Sequence, residues 1–196
     1  MTVQKIKTAG DPVLKKKARI VTEINEKIKK LAIDMADTMK MAGGLGIAAP
    51  QVGVSLRLIV IDFGYLDFEK AESAGEKPKE AEFRPVAIIN AEILEKNGLS
   101  SVSEGCLSVP GYRAAVDRAE KIKVKFTDIE GQEKIIEAEG LTAIAFQHEI
   151  DHTDGILFID RISNLKRSIA IKKVKKFLED IEEDEDKVEI TLYGKS

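Results

Sequence analysis

From Thr22 onward, Ile24, Ile28, Leu31, Met35 and Met39 recur at steps of three and four residues, the spacing of one apolar helix face. Thr22 is the expected cap of that helix, and Gly43-Gly44 supply the backbone freedom that ends it. The period then changes. Leu56 to Ile61 and Val86 to Ile89 are short β-branched runs that predict two buried strands. Ile122, Val124 and Phe126 alternate with Lys121, Lys123 and Lys125; the turn residues Asp128 to Gly131 lead on to Lys134 to Ala138, which predicts a half-buried hairpin. Leu141 to His152 is apolar on nearly every face until Gln147, so this second helix is expected to be buried. Gly155 marks its exit, and Ile156 to Ile159 returns the chain to the core.

Two stretches interrupt the apolar pattern. Asp62 to Arg84 is rich in Glu, Lys, Gly and Ala, and is expected to be an exposed, mobile insertion. Ser163 to Lys176 carries six Lys or Arg side chains and no acid, with Leu165, Ile169 and Val174 available for an inner stripe, a basic amphipathic helix. Glu179 to Asp186 reverses the charge, and Val188 to Tyr193 alternates like a last strand, so 163–196 reads as a basic helix with an acidic tail. With 196 residues, 43% of them hydrophobic, the whole chain 1–196 is expected to form one domain.

Composition narrows the function classes. A net charge of -3 spread over 33% charged residues does not suggest a nucleic-acid-binding fold. Cys106 is the single cysteine, so no intramolecular disulfide forms and a reducing cytoplasm fits best. Met1 to Gly10 has no apolar signal core, and no apolar run has the length of a membrane span.

The chemistry gathers in three segments. His148-Glu149-Ile150-Asp151-His152 uses both histidines of the chain at i and i+4, so on a helix their rings project from one face and can grip one cation. Glu149 is angled away from that cation but close enough to take a proton from water beside it. The alternative, two buried hydrogen-bonded histidines, requires costly polar burial in an apolar helix. A catalytic site needs a third ligand and an open position. Cys106 lies among the turn-forming and strand-like residues Glu104 to Pro110, which could present it beside the helix; as a bare thiol it could equally be a small core hydrophobe. Gly44 to Gln51 lacks the Gly-Lys-Ser/Thr ending of a phosphate loop. Its small residues permit close approach of a strand or an extended peptide, and Gln51 offers an amide N–H.

Together, Gly44 to Gln51, Glu104 to Ser108 and Gln147 to His152 resemble the three signature motifs of the peptide deformylase family, in that family's order and spacing. Asp11-Pro12-Val13-Leu14 resembles the family's opening, and the likeness extends to about Phe177. It departs at Thr153, where leucine is usual, and in the long 62–84 insertion. The resemblance implies an α+β fold, with a central helix carrying the histidines packed among antiparallel or mixed sheets. It implies hydrolytic removal of the formyl group from N-terminal formylmethionine, releasing formate. Cys106, His148 and His152 would hold one divalent metal, Glu149 would be the general base and acid, and the Gln51 side-chain amide and Leu107 backbone N–H would form the oxyanion hole. Leu45, Gly46 and Gly105 would run alongside the substrate backbone, and Arg113, Leu141 and Ile144 would border the methionine pocket. Ferrous iron is the metal implied in the cell, with zinc, nickel or cobalt also accommodated by this donor set.

Two other readings stay open from the residues alone. A zinc endopeptidase uses the same His-Glu-x-x-His logic, although it usually draws a third ligand from His or Glu. A non-catalytic protein would need a closed site with a fourth protein ligand, and none is obvious. Expected partners are formylmethionyl nascent chains and no membrane, with the chain acting as a monomer. The basic stretch Lys166 to Lys176 suits either ribosomal contact or a plain solvated face.

Overall fold

The structure, a computed structural model, describes residues 2–76 and 80–182. Its helices are α1 (Glu26–Met41), α2 (Phe63–Ser73), α3 (Gly140–Thr153) and α4 (Asn164–Glu182). Its strands are β1 (Gly46–Ala48), β2 (Leu58–Asp62), β3 (Pro85–Asn97), β4 (Ser100–Cys106), β5 (Val109–Arg118), β6 (Lys121–Thr127) and β7 (Glu133–Glu139). Five of them form an antiparallel sheet in the order β1-β2-β3-β6-β7, and β4 pairs with β5 alone. The α+β expectation holds, as do the two strands and the β6–β7 hairpin.

β2 shows why its sequence is a continuous apolar run rather than an alternating one. Side chains on successive strand residues point to opposite faces, and both faces of this sheet are covered. Ile59 and Ile61 pack with Ala143, Phe146 and Ile150 of α3. Leu58 and Val60 pack with Met35 and Met39 of α1 on the other side. The sheet therefore lies between α1 and α3, which explains an α3 that is apolar nearly all round. A third cluster joins Val109 and Val116 of β5 to Leu157, Phe158 and Ile159 and to Ala170 and Val174 of α4.

Three expectations are corrected. Helix α1 is capped by Asn25, whose side chain accepts the N–H groups of Lys27 and Ile28, not by Thr22. The residues before Asn25 are held against the sheet, because the Asn90 amide accepts the Val21 N–H at 2.9 Å and donates to the Val21 carbonyl at 2.8 Å. The 62–84 segment is not simply an exposed, mobile insertion. Asp62 accepts N–H bonds from Gly64 and Tyr65 and so starts α2, whose Leu66 is buried in the core. Finally, α4 runs on to Glu182, beyond the basic stretch that the sequence sets apart. The expected strand Val188 to Tyr193 and the tail beyond 182 lie outside the described residues.

Candidate active site

The two histidines and the thiol reach one point by different routes. His148 and His152 sit one turn apart on α3, with ring centroids 5.0 Å apart. Cys106 ends β4, directly before the two-residue turn Leu107-Ser108 that reverses the chain into β5. Sγ of Cys106 lies 3.2 Å from Nε2 of His152, and the ligand atoms of Cys106, His148 and His152 all fall within 4.8 Å of one another. Nδ1 of His148 is engaged by Oε2 of Glu104 at 2.8 Å, which leaves Nε2 as the atom of that ring that can serve as a ligand. One thiol and two imidazoles fit a divalent transition metal better than a hard cation such as magnesium or calcium.

Glu104 belongs to a buried ionic network. Arg118 of β5 donates through Nε to Glu104 Oε1 at 2.6 Å and through Nη2 to Oε2 at 2.9 Å, and it also pairs with Asp151 of α3. Asp151 in turn accepts from Nε of Arg161 at 2.6 Å. These contacts tie β4, β5 and α3 together behind His148. Burial opposes charge on Glu104, but the hydrogen bonds from Arg118 and His148 outweigh it and hold the carboxyl down at about 2. On the two rings burial disfavours the cation. It prevails at His152, helped by the charge of His148, and is overcome at His148 by its bonds to Cys106 and Glu104.

Burial also pushes the Glu149 carboxyl up to about 7, against the opposite pull of His148. Oε2 of Glu149 is buried without a hydrogen-bond partner among the described residues. Gln51 is buried in the short 3₁₀ turn Ala49–Val52. Its Oε1 accepts the Ala48 N–H at 2.7 Å, so its NH₂ must point the other way, where it donates to Ser108 Oγ at 3.2 Å and lies 3.6 Å from Cys106 Sγ. A side chain at Gly46 would have to displace Glu149, because a Cβ there would sit 2.5 Å from Glu149 Oε1. At Gly105 the corresponding neighbour is Nη1 of Arg113, at 2.9 Å.

A cavity of about 1010 Å³ opens onto these groups. Gln51, Cys106, Leu107, His148 and Glu149 line it, and so do Leu45, Gly46, Gly105, Arg113, Leu141 and Ile144. His152 lies behind them, almost fully buried. The sequence reading missed Arg118 and Asp151 altogether and passed over Glu104 as an orienting group. For Glu104 a signal existed: two residues before Cys106 on a strand, it shares a face with the thiol. Arg118 had none, since its partners are 14 and 33 residues away in the chain.

Comparison with known proteins agrees with this geometry. The family profile for Polypeptide deformylase matches residues 3–168. The peptide deformylase of Dictyoglomus thermophilum is 46% identical over 159 residues, 81% of this chain and 92% of that protein. The crystal structure of a peptide deformylase from Legionella pneumophila is 44% identical and superposes with a TM-score of 0.78, covering 91% of this chain and 96% of that one. A peptide deformylase from Ehrlichia chaffeensis, solved in complex with actinonin, is 38% identical with a TM-score of 0.78, covering 90% and 98%. The chain belongs to the polypeptide deformylase family.

Proposed function

We propose that Cys106, His148 and His152 hold one divalent cation, ferrous iron in the cell, and that Glu149, Gln51 and the Leu107 N–H carry out deformylation of N-terminal formylmethionine around it. The observation that supports this reading most is the convergence of the three donor atoms within 4.8 Å at one end of a cavity that Glu149 and Gln51 also line. A cation held there supplies Lewis acidity, which lowers the pKa of water to roughly 7. Glu149 takes the proton from the attacking water at its carboxylate and returns it to the leaving amine. Gln51 Nε2 and the Leu107 N–H donate to the formyl oxygen as negative charge develops on it, the kind of fixed donor that stabilises an oxyanion. Leu45, Gly46 and Gly105 flank the peptide backbone, while Arg113, Leu141 and Ile144 border the methionine side chain. The products are formate and a free amino terminus.

The sulfur ligand favours this reading over an endopeptidase, and the proximity of Glu104 to His148 makes it an orienting group rather than a fourth ligand. Formate release from formyl-Met-Ala-Ser, measured with metal content on the same sample, tests it; internal cleavage of unformylated peptides without formate overturns it.

The same reading covers the setting. It takes the whole chain as one deformylase domain working in the cytoplasm as a monomer. Among the described residues no helix is long and apolar enough to cross a membrane. Lys166, Lys172, Lys173, Lys175 and Lys176 are exposed along α4 and suit contact with ribosomal RNA, where formylated chains emerge. Reversing Lys172, Lys173 and Lys176 weakens ribosome co-sedimentation; unchanged co-sedimentation removes the contact.

A further inference from the structure

On the reading of Cys106, His148 and His152 as metal ligands, we propose that Arg161 is a positioning residue of the metal site: from the outer end of a chain of ion pairs it fixes the ring of His148, and so sets how tightly the site holds its metal. The chain runs inward from the surface. Arg161 donates through Nε to Asp151 Oδ2 at 2.6 Å and through Nη2 to Asp151 Oδ1. Asp151 Oδ2 also accepts from Nη1 of Arg118. Arg118 grips both oxygens of Glu104, and Oε2 of Glu104 meets His148 Nδ1 at 2.8 Å. Glu104, Arg118 and Asp151 are buried, whereas the Arg161 side chain is 35% exposed.

The chain closes on the elements that carry the ligands. Glu104 precedes Cys106 on β4, and Asp151 stands between His148 and His152 on α3. The donors of β4 and α3 are therefore tied together by the one guanidinium of Arg118, which the two carboxylates share. Beside a neutral imidazole, those two carboxylates and one guanidinium leave a buried negative charge uncompensated, and Arg161 balances it. Without Arg161, Asp151 and Glu104 compete for Arg118, and Glu104 is no longer kept at Nδ1 of His148. Metal-ligating imidazoles depend on such a partner for both ring orientation and basicity.

Arg161 is itself anchored. It follows the 3₁₀ turn Phe158–Asp160, its N–H donating to the Phe158 carbonyl at 3.0 Å, and Leu157, Phe158 and Ile159 are buried. The Phe158 ring faces the His148 ring, with centroids 6.3 Å apart and planes 26° from parallel. One short turn thus reaches His148 twice, through an aromatic face and through the ion chain. A lysine at this position would supply the charge but not the planar fork that takes both Asp151 oxygens.

The test is cobalt binding by the full chain, measured by competition with a chelator and by the visible absorption of the bound ion. Arg161→Gln, a change at a partly exposed position, is expected to weaken cobalt binding by about tenfold, the lower end of the ~10–100-fold lost with an outer partner of a metal ligand, and to alter that spectrum. Arg161→Lys, the milder change, falls between it and wild type. In a Glu104→Gln background the same Arg161→Gln change costs about twofold or less, because its route to His148 is already cut. Arg57→Gln breaks the ion pair with Asp154 at the end of α3, outside the chain, and leaves cobalt affinity and spectrum at their wild-type values. Wild-type affinity in Arg161→Gln, an equal loss in Arg57→Gln, or an undiminished loss in the Glu104→Gln background overturns the positioning role. No cobalt bound by the wild-type chain overturns the ligand assignment beneath it instead.

Discussion

Gly46 and Glu149 are in contact across the cleft: the α-carbon of one leaves no space for a methyl group beside the carboxylate of the other, the distance being 2.5 Å from an added Cβ to Oε1. A residue of the shortest strand thus sets where the Glu149 carboxylate of the buried helix can stand. Both Cγ and Cδ of Glu149 are 2.8 Å from that Cβ, so turning the carboxylate alone does not relieve the clash.

Gly46→Ala is therefore expected to displace Glu149 while leaving Cys106, His148 and His152 in place. Misplacing a catalytic group by about 1 Å costs on the order of a hundredfold in rate. Steady-state kinetics with metal analysis should show kcat down by about that factor at wild-type metal content. Normal turnover in this variant removes Glu149 from the proton transfer.

Gln51→Leu probes two bonds at once. Loss of the Nε2 donor lowers kcat by about a hundred- to a thousandfold if it faces the developing oxyanion. Loss of Oε1 leaves the buried Ala48 N–H unpaired, which destabilises the fold by about 1–3 kcal/mol. Denaturant unfolding and kinetics on one preparation separate the two effects, and a variant that loses stability but keeps its rate has lost only a structural bond.

Glu104 makes stability depend on acid in a defined direction. Its folded pKa of about 2 lies below the ordinary 4.5, so its contribution is fully present above pH 4.5 and is lost as the pH falls toward 2. The contribution is on the order of 3 kcal/mol. Urea unfolding of chelator-treated protein between pH 6 and 3 should show a steeper loss for wild type than for Glu104→Gln, with metal release taken out of both. Parallel curves would show that Arg118 does not hold Glu104 ionised.

Metal removal is expected to lower thermal stability as well as activity, because a ligand that binds only the folded chain adds about 2.7 kcal/mol at a hundredfold excess over its Kd. Differential scanning calorimetry with and without a chelator should show the drop, and re-addition of ferrous, cobalt, nickel or zinc ions should reverse it. Cys106→Ala should show a much smaller response. A chelator that leaves the melting temperature of wild type unchanged argues against ligation by these three side chains.

The chemistry was legible in the sequence wherever it was local. The i, i+4 histidines need only the 3.6-residue turn of a helix to share a face, and Glu149 beside them follows from the same geometry. Alternation at Ile122, Val124 and Phe126 sufficed for a strand, because hydrophobic period records which face is buried. The remainder depended on contacts between distant segments. Thr22 is a good cap by type, but the grip of Asn90 on Val21 delays the helix to Asn25. The Glu-, Lys- and Gly-rich composition after Asp62 suggests a loop, whereas its pinned ends and the burial of Leu66 make a helix of it. Residue type and spacing alone determined the candidate reactive groups and the main elements. Tertiary structure decided that Cys106, 46 residues from His152, stands 3.2 Å from it, and that Glu104, itself held by Arg118, engages the ring of His148, since no local period encodes which distant side chains a folded core brings together.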